Sequence, residues 1–267
     1  KGNAVFRYSK VIKAKKSLGQ NFLIDQNIIN KILLVSDIKN KSVLEVGPGT
    51  GNLTSHIIKR NPKKFFVIEK DENLVLKLSN DFKNEIKIIN DDVLNVNEKN
   101  IDNDKLVVFG NLPYNISTEI LCKWILNLDK NNFWFSCLIL MFQKEVADRI
   151  IAKPGSQNYG RLSILTNWLT KSKKLFDIPS DAFFPKPKVK SSVIQLKPLS
   201  KPLYDVSFKS VEEITHMAFS QRRKMLKTSL KTINGQTILK ELGISPNLRP
   251  ENLTVIDFCK IAKKTFE

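Results

Sequence analysis

Cysteine and histidine are scarce in this chain: three and two among 267 residues. Cys122, Cys137 and Cys259 are far apart and form no Cys-x-x-Cys spacing, which argues against a disulfide framework or a zinc centre. They suit small core residues of a reducing, cytoplasmic compartment. His56 and His216 have no partner at triad or metal spacing, so neither is given a role and no metal is expected. No apolar run reaches the length of a membrane span, and the basic N-terminal residues lack the apolar stretch of a secretory signal. No membrane partner is therefore expected. Internal repeats are also absent.

Acidic residues are missing from residues 1–17, which carry six basic ones. The net charge is +18, and its distribution says more than its size. Residues 18–142 balance at 15 basic and 15 acidic, whereas residues 143–200 carry 11 against 4 and residues 201–267 carry 12 against 7. A lysine-rich coding bias would spread its excess evenly. Charge confined to the flanks of a neutral half points to a surface for a polyanion, and so to nucleic acid. Residues 1–17 read as a flexible basic arm able to lie along phosphates.

Hydrophobic residues make up 42% of the chain, enough for a substantial core. Four short apolar runs each end in residues with chemical potential. Ser42-Val-Leu-Glu-Val46 reads as a strand running into Gly47-Pro48-Gly49-Thr50-Gly51, and a helix follows at once. Strand, glycine turn, helix is a nucleotide-binding unit in which bare backbone admits a ligand closely. The spacing here is GxGxG, and Pro48 removes one N–H donor, so a cofactor without a pyrophosphate suits the loop. Phe65-Phe-Val-Ile68 ends in Glu69, about twenty residues past the glycines, where an acid can accept both ribose hydroxyls. Asp71 fits better as the cap of the helix that follows. Ile86-Lys-Ile-Ile89 leads to Asp91 and Asp92. Asp92, ahead of the apolar Val93-Leu94, is the preferred acceptor for an exocyclic adenine N–H, with Asp91 as its competitor.

The fourth run, Leu106-Val-Val-Phe109, stops at Gly110-Asn111-Leu112-Pro113-Tyr114. A turn of this kind at a strand's carboxyl end offers an amide oxygen, a backbone carbonyl and a flat ring in one small volume. An exocyclic aromatic amine needs acceptors for its N–H groups and a surface to stack on. Further along, Ile116–Leu128 reads as a helix and Phe133–Phe142 as a central strand. Lys171-Ser-Lys-Lys174 reads as a basic turn before a strand at Leu175-Phe176. Phe183-Phe-Pro-Lys-Pro-Lys-Val189 is a proline-stiffened aromatic loop in which Phe183 is a candidate stacking residue. Lys197–Pro202 reads as a linker to a small helical domain, where Arg222-Arg223-Lys224 is the expected phosphate contact.

The motifs Leu18-Gly-Gln-Asn-Phe-Leu23, Glu45-Val-Gly-Pro-Gly49, Asn111-Leu-Pro-Tyr-Asn-Ile-Ser117, Gln143-Lys-Glu145, Tyr159-Gly-Arg161, Phe183-x-Pro-x-Pro-Lys-Val189 and Phe219-x-Gln-Arg-Arg-Lys224 together resemble the small-subunit ribosomal RNA adenine dimethyltransferases. The resemblance spans roughly residues 13–264. It implies an α/β fold: a Rossmann-like class I methyltransferase sheet with helices on both faces over residues 18–200, plus a small all-helical C-terminal domain over 201–267. It further implies that S-adenosylmethionine supplies two methyls to N6 of each of two adjacent adenosines near the 3′ end of small-subunit rRNA. Asn21, Leu23, Gly47, Glu69, Asp92 and Asn111 match the family's cofactor positions, with Gly49 in the same loop. Asn111, Leu112, Tyr114 and Phe183 match its target-base site. The expected partner is rRNA within a pre-assembled small subunit, met by a monomeric enzyme. Two competing readings are the sister group that dimethylates large-subunit rRNA, whose turn more often reads Asn-Ile-Pro-Tyr, and an RNA-binding assembly or transcription factor on a silenced methyltransferase fold.

Overall fold

The computed structural model describes residues 14–15, 19–126, 128 and 133–267. Of the basic arm expected over residues 1–17, all but Ala14 and Lys15 lies outside the described residues. The chain divides into two compact units, one of residues 1–123, 132–147 and 173–197, the other of 124–131, 148–172 and 198–267.

The first unit is built on strands β2 (Ser42–Val46), β3 (Lys64–Ile68), β4 (Lys87–Ile89), β5 (Leu106–Asn111), β6 (Phe135–Gln143), β7 (Thr170–Ile178) and β9 (Ser191–Pro198), with a two-residue pair, β1 (Phe22–Leu23) and β8 (Phe183–Phe184), beside them. The seven join in the order β4-β3-β2-β5-β6-β9-β7. Pairings from β4 through β6 are parallel, and β9 runs antiparallel to β6. Every residue of β2 is buried, as is β5 up to Gly110. Strands buried on alternate residues alike must be covered on both faces, and helices cover both here. Alternation of strand and helix in sequence produces this layering, because each parallel return needs a crossover. The Rossmann-like expectation is met. The strand order reverses at β2, with β3 on one side and β5 on the other, so the carboxyl ends of β2 and β5 flank a ligand crevice.

Helix α1 (Gln26–Leu33) precedes the sheet, and α2 (Asn52–Ile58), α3 (Glu72–Phe82) and α4 (Ser117–Leu126) follow the expected positions. Asp25 caps α1 by accepting from the N–H groups of Asn27 and Ile28, and Asp71 caps α3 through Asn73 N–H. One local reading changes. Lys171–Lys174 is no turn but the first half of β7, the last strand of the sheet, with Lys171 and Lys173 exposed. Lysine on an edge strand deters pairing with a second chain, which explains why a β-strand can carry so much charge.

The second unit contains helices α6 (Arg161–Leu169), α7 (Phe208–Ser220), α8 (Leu226–Ser229), α9 (Gly235–Glu241) and α10 (Val255–Phe266), while α5 (Lys144–Ile150) straddles the division. Helix α6, which follows the Tyr159-Gly160-Arg161 motif, therefore groups with the C-terminal helices, not with the sheet. Trp168 explains this: its ring lies 6.1 Å from that of Phe208, and its Nε1 donates to Tyr204 O at 3.0 Å. Phe219 stacks on Phe258 at 5.7 Å, and Tyr159 meets Phe219 edge-on at 6.5 Å. Leu199 N–H donates to Leu169 O at 2.9 Å, so the stretch read as a linker is hydrogen-bonded to the end of α6.

Candidate active site

A cavity of about 220 Å³ opens at the carboxyl ends of β2, β3 and β5, lined by the glycine turn, Glu69, Asp91, Asp92 and the turn from Asn111 to Ile116. These three strand ends and the loop after β4, which carries Asp91 and Asp92, thus converge as the strand order requires.

The glycine turn and the Asn-Leu-Pro-Tyr turn are in direct contact. Gly47 has φ +70°, and a Cβ there would sit 2.8 Å from the Asn111 carbonyl oxygen. Gly49, at φ +57°, is hemmed by Phe22, whose Cδ1 would lie 2.6 Å from an added Cβ. Bare backbone is thus needed at both positions for conformation and for space. Glu69 is buried, and its Oε1 accepts from Asp71 N–H at 2.9 Å and its Oε2 from Gly49 N–H at 3.4 Å. Burial raises its carboxyl above the ordinary value against these hydrogen bonds. An acceptor held by backbone at the mouth of a glycine turn fits a ribose diol.

Asp91 and Asp92 both line the cavity, but they differ in setting. Asp92 is half-buried, accepts from Lys70 Nζ at 2.7 Å and from Leu94 N–H at 3.0 Å, and the Lys70 bond holds its carboxyl below the usual range. Asp91 is exposed and its Oδ1 accepts locally, from Asp92 N–H and Asn95 Nδ2. Asp92 is the better-placed fixed acceptor. The loop before β1 folds over the same cavity. Gln20 Nε2 and Lys15 Nζ donate to the two oxygens of Asp71 at 3.1 and 2.8 Å. These bonds outweigh the upward push of burial and leave Asp71 below its ordinary pKa.

Asn111 closes β5 with its side chain oriented. Its Nδ2 donates to Asn21 O at 2.7 Å, which commits the amide nitrogen and leaves Oδ1 as the acceptor presented by that side chain. Leu112 is buried behind it, and Tyr114 lines the cavity with its hydroxyl bonded to Ser191 Oγ. Burial raises the Tyr114 pKa, so the phenol is neutral at physiological pH.

Two expected residues are elsewhere. Phe183 is 2% exposed, belongs to the hydrophobic core and pairs through β8 with Leu23 of β1, outside the cavity lining. Leu23 likewise faces the core, with its carbonyl accepting from Asn52 Nδ2 at 2.8 Å. Phe22, which the motif reading passed over, lines the cavity instead. Successive residues of a strand point to opposite sides, so only one of Phe22 and Leu23 can face it. In the second unit, Arg222 is partly exposed, donating to Gln157 O and lying 3.8 Å from Glu251, while Arg223 and Lys224 are exposed. Among the described residues, no cluster of three or more His, Cys, Asp or Glu could hold a metal ion, and no helix is long and apolar enough to cross a membrane.

Comparison with known proteins agrees with this geometry. The chain is 53% identical over 255 residues to a ribosomal RNA small subunit methyltransferase A of Pelagibacter ubique, covering 95% of this chain and 97% of that one. It is 45% identical over 258 residues to the protein of the same name from a Wolbachia of Drosophila simulans, covering 94% and 93%. Among solved structures, a dimethyladenosine transferase from Plasmodium falciparum superposes with a TM-score of 0.77 at 27% identity, covering 90% of this chain and 95% of that one. The 23S rRNA methyltransferase ErmE shares the fold, with a TM-score of 0.68 at 21% identity, over 92% of this chain and all of that one. The ribosomal RNA adenine dimethylase family matches residues 11–266, and with its cavity, its turn and its nearly full-length relatives in agreement, the chain belongs to that family.

Proposed function

We propose that this protein transfers four methyl groups from S-adenosylmethionine to N6 of two adjacent adenosines near the 3′ end of small-subunit rRNA. The observation that carries the reading is the Asn111 amide at the end of β5, which lines the cavity and whose orientation is set by the bond from its nitrogen to Asn21 O. The full-length relatives named for the small subunit favour that substrate over the large-subunit one.

The residues fit the cofactor. Gly47 and Gly49 leave room where any Cβ would collide, Glu69 suits the ribose, and Asp92 suits the adenine amine. When bound, the sulfonium supplies an already activated methyl. The protein therefore has to align the amine, exclude water and make the amine nucleophilic. N6 of adenine is poor in that respect because its lone pair is delocalised into the ring. Asn111 Oδ1 and the Leu112 carbonyl accept the N6 hydrogens and favour a more pyramidal, electron-rich nitrogen. Tyr114 stacks on the flipped base. Phe183, expected in the same role, lies in the hydrophobic core. The bound cofactor would supply the methyl and keep the S–C bonding pair, and the N6 proton would pass to water afterwards. Glu69 and Asp92 are assigned to the cofactor and Asp91 is an exposed carboxylate bonded within its own loop, so no general base is invoked.

Residues 18–200 carry the transfer on this reading, and residues 201–267 grip the RNA through Arg223 and Lys224. The protein acts as a cytoplasmic monomer on rRNA already folded in a pre-assembled subunit. The test is incubation with methyl-labelled S-adenosylmethionine and unmethylated small or large subunits, followed by nucleoside mass spectrometry. Dimethyladenosine in small subunits alone is the expected result. Label in large subunits alone would assign the resistance-type reaction, and tight RNA binding without label would assign a binding factor.

A further inference from the structure

Ser191 is 0% exposed and does not line the cavity, so it cannot touch substrate. Its Oγ nevertheless shares a hydrogen bond with the hydroxyl of Tyr114, 77 residues away in sequence. We propose that Ser191 is the positioning residue for the base-stacking ring of Tyr114. The inference rests on the reading of Tyr114 given above.

The fixing is geometric. Ser191 opens β9, opposite Gln143 at the end of β6, and the next bridge is Lys144 N–H donating to Lys190 O at 2.9 Å. Its neighbour Ser192 donates to Asp177 Oδ1 at 2.7 Å. The backbone that carries the Ser191 hydroxyl is therefore held by the sheet. At the other end of the ring, Tyr114 O accepts from Ser117 Oγ at 3.2 Å, and Pro113 O accepts from Ile116 N–H at 3.1 Å, anchoring the turn to the start of α4. Held at its backbone and at its hydroxyl, the side chain has little freedom about its two torsions, in a residue that lines the cavity. A tyrosine serves here because phenylalanine would offer the same face without the outer tether. Two successive methyls on one amine change the amine, not the ring, so a fixed stacking plane provides the same reference for both transfers.

Ser191→Ala and Tyr114→Phe remove the tether from opposite sides, and the two are measured alone and combined. Each is expected to lower kcat on small subunits by about tenfold with little change in KM. The affinity for S-adenosylmethionine should match wild type, and the double variant should be no slower than either single one. Unchanged kcat in Ser191→Ala would overturn the inference. So would losses that multiply in the double variant, or a loss accompanied by weaker cofactor binding, which marks a merely structural role. An inactive wild type would overturn the underlying reading, whereas an active wild type with unaffected variants would overturn only the role of Ser191.

Discussion

At the residue scale, the most constrained position is Gly47, where a left-handed backbone and the Asn111 carbonyl 2.8 Å from any Cβ act together. Gly47→Ala must strain the loop or displace the Asn111 turn. It is expected to cost about 1–3 kcal/mol of stability and to weaken S-adenosylmethionine binding, read by thermal melting and by calorimetric titration. Wild-type affinity in that variant would show that the turn gives way without consequence. Much of the site was legible at this scale. Gly47, Glu69, Asp92 and Asn111 each follow an apolar run, and strand ends are where such sheets hold ligands. Side-chain direction was less legible. A two-residue strand has no periodicity to read, so the sequence offered no means of choosing Phe22 over Leu23, and Phe183 sits in a similar two-residue strand. The tether from Ser191 was hidden for another reason: it depends on a pairing of β6 with β9 that no local pattern announces.

At the element scale, β2 and α2 are joined by a buried acid. Thr54 Oγ1 donates to Glu45 Oε2 at 2.7 Å, and burial pushes the Glu45 carboxyl up to about 8, with the Glu69 charge adding to the rise. A carboxyl whose pKa is higher folded than unfolded binds its proton more tightly in the native state. Its stabilisation is fully present at low pH and is lost as pH rises from the unfolded value of 4.5 towards about 8. Over that window it contributes a slope of about −1.4 kcal/mol per pH unit. Glu45→Gln keeps the shape and removes the titration. Its melting temperature is expected to gain on wild type as pH rises from 5 to 8, and parallel curves would refute the assignment. The edge strand gives the opposite lesson about legibility. Lys171-Ser-Lys-Lys174 has the composition of a turn, and only its place at the margin of the sheet makes it a strand. The grouping of the helix at Arg161–Leu169 with the C-terminal helices depends on the long-range contacts of Trp168, which no local pattern shows.

At the scale of the whole molecule, a neutral stretch over residues 18–142 is flanked by segments that hold the entire charge excess of +18. Phosphate contacts made by such segments release counterions, so RNA affinity should fall steeply with salt. Arg223→Ala combined with Lys224→Ala is expected to weaken binding and to reduce the slope of log affinity against log salt by about 1.4, at roughly 0.7 per single-strand phosphate contact. S-adenosylmethionine binding should be untouched. Arg222→Ala should instead lower stability, since that side chain is occupied by Gln157 and Glu251. An unchanged salt slope in the double variant would move the RNA contact elsewhere. The decisive measurement for the account as a whole compares wild type with Asn111→Ala on unmethylated small subunits, following dimethyladenosine and RNA affinity in parallel. Wild type should approach two dimethyladenosines per subunit, while Asn111→Ala should be slower by at least about 100-fold and bind RNA normally, because a neutral amide attracts no phosphate. Normal methylation by the variant, or RNA binding lost together with methylation, would contradict the central role assigned to that amide.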